Sequence, residues 1–145
     1  MGDAIFVDAN VPMYAVGTAH PLKQPCVDFL EAVARGEIVA LTDAEVLQEI
    51  LHRYSALNQR QRAIEVVRLF LKIVPTVLPI KLADVERALD IHQRYERLQA
   101  RDSLHLAVMV NNGVQRILSA DQHFDAVNEV QRFDPALWAH LQVAP

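Results

Sequence analysis

Apolar and polar positions divide the chain into short apolar runs and longer segments with helical spacing. Runs of four or five residues rich in Ile, Val and Phe favour strands, because they are too short for a buried helix. Such runs predict strands over residues 4–7, 38–41, 116–119 and 130–133, and the two prolines in 73–80 predict extended chain there. Apolar spacing of three and four predicts helices over 25–35, 60–72 and 82–98, with a short one around Trp138.

Two further helices are predicted from their amino-terminal signals. Thr42 with Glu45 three residues later forms a capping-box pattern, which predicts a helix that begins there. Asp102 precedes an apolar helical segment that ends at Asn112 and Gly113. Strands separated by helices are typical of a parallel sheet covered on both faces. We therefore expect one α/β domain over 1–145, built as a three-layer sandwich around a mainly parallel sheet.

Two of the predicted strands run directly into an aspartate. Asp8 follows the first strand, and Asp121 follows the strand that ends near Ser119. Ligands of open parallel sheets gather at the carboxyl ends of the strands, at the point where strand order reverses. Aspartate also caps helices and is common in turns, so each residue alone has an ordinary structural explanation.

Three more acidic residues are candidates, and each has a structural alternative. Glu49 lies near the boundary of the apolar face of its helix, whereas Glu45 lies nearly opposite and is expected to be solvated. Glu49 is also placed for a surface ion pair with Arg53. Asp102 fits a helix cap, and Asp125 fits a solvated turn.

A cluster of carboxylates would have a chemical use. Mg²⁺ and Mn²⁺ take oxygen ligands, and a bound ion lowers the pKa of water and neutralises charge on a leaving oxygen at phosphorus. Crowded carboxylates repel one another unless a cation lies between them or a pKa is raised. The sequence predicts the candidates and leaves open whether they converge.

Four blocks in this order resemble the PIN-domain nucleases, and in particular the VapC-type toxins of toxin–antitoxin pairs. They are FVDANV, TDAEVLQEILHRY, ARDSLHLA and ILSADQHFD, and the resemblance covers nearly the whole chain. It implies a PIN-like fold with the family's acids at Asp8, Glu49, Asp102 and Asp121, and an additional acid at Asp125. Asn10 and Ser119 match the polar residues that accompany them.

The resemblance implies a metal-dependent endoribonuclease that uses Mg²⁺ or Mn²⁺, and a small antitoxin as partner. It also implies a homodimer, formed through exposed apolar positions on the early helices. His105 and His123 are expected to support the site or lie at the surface, since no paired-histidine motif indicates zinc. Alternatives are a PIN domain that binds RNA or assembles with little catalysis, and a related DNA nuclease.

Other families with an aspartate after the first strand fit less well. Haloacid-dehalogenase phosphatases need a second aspartate where Asn10 stands, and response-regulator receivers need an acidic pair and a lysine that are missing at suitable places. The sequence contains neither a GxxxxGK[ST] loop nor GxGxxG.

Charge and cysteine content bound the setting. The formal net charge is −4, but residues 53–101 carry ten Lys and Arg against five acids, which predicts a basic flank beside an acidic pocket. Arg53 and Arg101 are the candidates for contact with substrate phosphate. One cysteine, Cys26, and no apolar run of about 20 residues predict a soluble cytoplasmic protein without a membrane segment.

Overall fold

A computed structural model describes residues 3–142, and side chains up to residue 139. Five parallel strands form one sheet in the order β3-β2-β1-β4-β5. The strands are β1 Ile5–Val7, β2 Ala40–Asp43, β3 Val77–Leu78, β4 Arg116–Leu118 and β5 Gln131–Phe133. The helices are α1 Asn10–Val16, α2 Lys23–Ala34, α3 Ala44–Ala56, α4 Arg60–Ile73, α5 Leu82–Arg94 and α6 Ala100–Asn111, followed by 3-10 segments Gln122–Ala126 and Pro135–Gln142.

The central strand β1 explains why the sheet must be covered on both faces. Its three residues are all buried, and so are Ile117 and Leu118 of the neighbouring β4. The helices pack as sequential pairs, α1 with α2, α3 with α4 and α5 with α6. This confirms the predicted α/β fold with a parallel sheet. Among residues 3–142, no helix is long and apolar enough to span a membrane.

Several predicted boundaries are wrong, and local capping explains two of them. Thr42 belongs to β2 and donates its hydroxyl to Val7 O, 3.0 Å away, so it does not cap α3. The cap is Asp43, whose carboxylate accepts from Val46 N at 2.8 Å. Glu45 therefore takes no part in a capping box, and it is partly buried rather than solvated.

The helices around the chain's middle also differ from the prediction. Helix α5 ends at Arg94 instead of continuing to Leu98, which is buried in the following turn. Helix α6 begins at Ala100, so Asp102 is its third residue and not its cap. Helix α1 had no predicted counterpart, and it contains a proline, Pro12. Proline is tolerated in the first turn of a helix, which is where Pro12 lies.

Candidate active site and metal centre

The candidate site lies where the strand order of the sheet reverses. From β1 the chain proceeds to β2 on one side, whereas β4 lies on the other side of β1, with Val7 level with Leu118. Asp8 and Ser119 follow directly after these two residues. The crevice at this switch point is the expected ligand position in an open parallel sheet.

Asp8 is buried and held by three donors. Its Oδ1 accepts from Ala9 N at 2.8 Å, and its Oδ2 accepts from Ser119 Oγ at 2.6 Å and from Asn10 Nδ2 at 3.2 Å. Burial raises the pKa of Asp8, while the neighbouring His105 and the Ser119 hydroxyl partly oppose that rise. The three hydrogen bonds give this carboxylate one orientation.

Ser119 and Asn10 link the ends of the two central strands. Ser119 Oγ accepts from Asn10 Nδ2 at 3.1 Å and from Asp121 N at 3.0 Å. Asn10 Oδ1 in turn accepts from Ala120 N at 3.1 Å. The structure thus brings both predicted accessory residues against Asp8 and ties the backbone of Asp121 to the same network.

Glu49 reaches the site from α3 and is buried, with 6% of its surface exposed. Arg53 lies 3.2 Å from its Oε2, one turn further along the helix, and Arg101 lies 3.8 Å from its Oε1. Burial would raise the pKa of Glu49, but His105 and the two arginines outweigh burial and hold it below its usual value. Both arginines remain partly exposed, at 50% and 30% of the side chain.

Asp102 faces the same site from the first turn of α6. Its carboxylate accepts from Gln99 N at 3.4 Å, and the residue is 8% exposed. Burial, together with the negative charges of Asp8 and Asp121, raises the pKa of Asp102 to about 6. Asp102 thus lies near Asp8 and Asp121, which come from other blocks of the sequence.

The converging side chains form two groups of possible ligand atoms. One contains Asp8, Glu49 and His105, and in each group the ligand atoms lie within 4.8 Å of one another. The other contains Asp102, Asp121 and His123. We call the four acids Asp8, Glu49, Asp102 and Asp121 the acidic cluster.

A buried pair that the sequence analysis missed lies against this cluster. His105 Nδ1 is 2.8 Å from Asp43 Oδ2, and both residues are completely buried. His105 Nε2 points towards Glu49 Oε1 at 3.7 Å, beyond hydrogen-bonding distance. Asp43 ends a strand just as Asp8 does, so the same signal was present, but the capping pattern assigned to Thr42 concealed it.

Asp125 lies outside both groups of possible ligand atoms. Its exposed carboxylate accepts two hydrogen bonds from Arg132, at 2.7 and 3.0 Å. Arg132 Nη1 also donates to Ser119 O at 2.9 Å. Asp125 is therefore connected to the acidic cluster through Arg132 and the backbone of Ser119.

Several arginines of the basic segment 53–101 are engaged in contacts within the protein. Arg62 donates to Val16 O, and Arg94 pairs with Glu129 at 2.7 Å. Arg101 pairs with Glu45 at 3.6 Å as well as with Glu49. Arg53 and Arg101 are the arginines that lie against Glu49 of the acidic cluster.

The donor set fits a divalent cation. The acidic cluster offers carboxylate oxygens, which Mg²⁺ and Mn²⁺ prefer. A cation between these carboxylates would also relieve the repulsion that raises the pKa of Asp102.

Comparisons with known proteins show the family of this chain. The PIN domain family matches residues 5–130. Ribonuclease VapC13 of Mycobacterium tuberculosis is 44% identical over 128 residues, which are 88% of this chain and 98% of that protein. The VapC20 toxin of the same organism, described as cleaving the sarcin-ricin loop, has a similar structure with a TM-score of 0.72 and 21% identity, over 87% of this chain and 96% of that chain.

A second structural neighbour shows the same fold in a complex. It is VapBC2 from Rickettsia felis bound to a DNA fragment from their promoter, with a TM-score of 0.72 and 12% identity, over 90% of this chain and 98% of that chain. The family match covers most of the chain, and the VapC13 relative spans almost its full length. The chain therefore belongs to the PIN-domain family.

Proposed function

We propose that this protein is a metal-dependent endoribonuclease that hydrolyses phosphodiester bonds of RNA. The observation that carries the proposal is the convergence of four acids from separate parts of the chain into two groups of possible ligand atoms. The relative Ribonuclease VapC13 supports RNA as the substrate class. An electrostatic site that would repel itself without a cation is typical of metal-dependent phosphoryl chemistry.

The acidic cluster would hold Mg²⁺ or Mn²⁺. A bound divalent ion there would lower the pKa of an attacking water and neutralise charge that develops on the phosphate. Asp8 presents one orientation to such an ion, because Ser119 and Asn10 hold its Oδ2. Asp102 and Asp121 approach from α6 and from the turn after β4.

The remaining residues position the substrate and the cluster. Arg53 and Arg101 are partly exposed and adjacent to Glu49, so each can donate to a phosphate oxygen at the mouth of the site. Asp125 was predicted as a further ligand, but both of its oxygens accept from Arg132. We assign it instead a supporting role, in which it holds Arg132 against Ser119 O.

The test compares RNA and DNA panels with the wild-type protein and an isosteric variant. In Mn²⁺, the wild type is expected to cleave RNA, and Asp8→Asn is expected to lose cleavage while it retains its melting temperature within a few degrees. Asp90→Asn, an exposed acid on α5, is the matched control and is expected to cleave normally. If the wild type binds RNA without cleaving any member, the protein is a binding module; preferential cleavage of DNA would make it a DNA nuclease.

The proposed partners follow from the relatives. VapC proteins and the VapBC2 complex support a small antitoxin as partner, and RNA together with the free thiol of Cys26 fits the cytoplasm. We also propose a homodimer. The large exposed apolar residues available for it lie mainly on α3, α4 and α5 rather than on the earliest helices, among them Leu51, Leu69 and Leu89. Co-expression with the adjacent reading frame and light scattering test both assemblies.

A further inference from the structure

A second feature adjoins the acidic cluster: a cavity of about 300 Å³ between α1 and the end of α3. Asn10, Met13 and Tyr14 line it from α1, and Arg53 and Tyr54 line it from α3. Two of these residues also contact the cluster, since Asn10 donates to Asp8 and Arg53 pairs with Glu49. A ligand in this cavity would therefore be continuous with one bound at the acids.

The chemistry of the cavity wall favours an aromatic ring attached to an anion. His20 also lines the cavity, and its ring stacks on Tyr14 with centroids 4.5 Å apart and an interplanar angle of 30°. Among the described residues that line it there is no carboxylate, and Arg53 supplies a positive charge on the side of the cluster. Aromatic side chains of this kind stack with nucleobases, whereas the absence of acid disfavours a cationic ligand.

The loop that carries His20 is anchored, so the cavity is formed before any ligand binds. Lys23 Nζ donates to Gly17 O at 2.6 Å, and Arg62 donates to Val16 O. Gly17 lies so close to α1 that a Cβ there would come within 2.9 Å of Met13 O. These contacts hold the loop against the end of α1, and a preformed wall reduces the entropy lost on binding.

We propose that this cavity binds the nucleobase next to the scissile phosphate and thereby contributes to base preference. The proposal rests on the proposed ribonuclease function. The phosphate would lie at the acidic cluster, with Arg53 between the two subsites. The neighbouring base would extend the stack that Tyr14 and His20 already form.

The experiment is a double-mutant cycle, in which each protein variant and the wild type are compared on intact RNA and on RNA that lacks one base. Oligonucleotides that are intact, or abasic at one position at a time, are used to measure equilibrium binding by fluorescence anisotropy and, where they are cleaved, KM and kcat. Tyr14→Ala and His20→Ala are expected to weaken binding of intact RNA about tenfold, since stacking contributes about 1–3 kcal/mol per base. Both variants are expected to bind as tightly as the wild type to RNA that lacks the base proposed to occupy the cavity.

Matched variants separate stacking from damage to the fold. Tyr14→Phe keeps the ring and is expected to bind like wild type, and His52→Ala removes an exposed histidine of α3 outside the cavity. Equal losses on intact and abasic RNA at every position would overturn the subsite. Cleavage by wild type without such coupling contradicts the subsite alone. Coupling in the binding assay without cleavage would show that the cavity binds a base but would contradict the ribonuclease function, whereas absence of both binding and cleavage would overturn both proposals.

Discussion

His105 Nδ1 lies 2.8 Å from Asp43 Oδ2, and neither side chain is exposed to solvent. Burial would lower the pKa of His105, but the adjacent Asp43 carboxylate outweighs it and raises the pKa to about 10. The pair thus places a positive charge inside the protein, 3.7 Å from Glu49 and beside the acidic cluster. In the metal-free protein this charge offsets part of the repulsion among the acids.

Substitution of Asp43 by asparagine is expected to destabilise the protein strongly. Asparagine retains an oxygen that can accept from Val46 N and cap α3, so the change isolates the lost charge. Leaving a buried charge without its partner costs roughly 3–5 kcal/mol. Denaturant unfolding measures the difference, with Asp28→Asn on α2 as a partly exposed control. A loss below about 1 kcal/mol would contradict a charged pair.

The same pair predicts a dependence of stability on pH. Because the pKa of His105 is raised from 6.5 to about 10, the folded protein keeps a proton that the unfolded chain releases in this interval. The free energy of unfolding should therefore fall as pH rises from about 6.5 to 10, with a slope of up to about 1.4 kcal/mol per pH unit. His105→Gln, measured in EDTA, should lack this contribution. Parallel curves for the two proteins would show that His105 is neutral when buried.

Asp102→Asn is expected to stabilise the metal-free protein at pH 7. The pKa of Asp102 is raised from 3.8 to about 6, so its charge is unfavourable in the folded state above pH 6 and the penalty disappears below the unfolded value. After allowance for solvent screening, the gain is on the order of 1–2 kcal/mol at pH 7 and near zero at pH 3.5.

Addition of metal should make the wild type more stable than Asp102→Asn, the reverse of the order expected without metal. Mn²⁺ is expected to raise the melting temperature of the wild type, since a ligand that binds only the folded state stabilises it. Asp102→Asn should lose most of that shift together with cleavage, whereas Asp90→Asn keeps both. An equal shift in all three proteins would place the metal elsewhere.

Ser119→Ala tests the orientation of Asp8. The substitution removes the 2.6 Å hydrogen bond to Asp8 Oδ2 and the acceptor for Asn10 and Asp121 N. Loss of buried hydrogen bonds costs about 1–3 kcal/mol, and the pKa of Asp8 should rise further because this bond now lowers it. In calorimetric titrations at pH 6, Ser119→Ala should bind Mn²⁺ more weakly than the control variant Ser55→Ala does. Unchanged affinity would mean that Asp8 needs no support.

Arg53→Ala tests contact with phosphate. Arg53 is half exposed beside Glu49, so its loss should weaken RNA binding and reduce the slope of log K against log salt by about 0.7, the value for one contact on a single strand. The control is Arg35→Ala, because Arg35 is an exposed arginine directly after α2 that pairs with Glu37. If the slope is the same in both variants, Arg53 pairs with Glu49 but does not contact the RNA.

Local patterns were sufficient for much of the fold. Alternating strand-like and helical segments predicted a parallel α/β domain, and the order of four sequence blocks indicated the family that the comparisons then matched. Apolar periodicity is read within a few turns, so it needs no tertiary information. Boundaries were less secure, because Thr42 and Asp43 are both good caps and only the strand's hydrogen bonds decide between them.

The sequence by itself determined which residue types were available for chemistry. These are two acids that follow strands, one acid near the edge of the apolar face of a helix, and one acid at the start of another helix. Only the tertiary structure decided which of them meet. Asp8 and Asp121 come together because β1 and β4 are neighbours at the switch point, although 113 positions separate them along the chain. Asp43 at the end of β2 and His105 of α6 form a buried ion pair although 62 positions separate them, whereas Asp125 is held by Arg132. Burial and charge–charge distances arise from the packing of distant segments, so no local pattern encodes them.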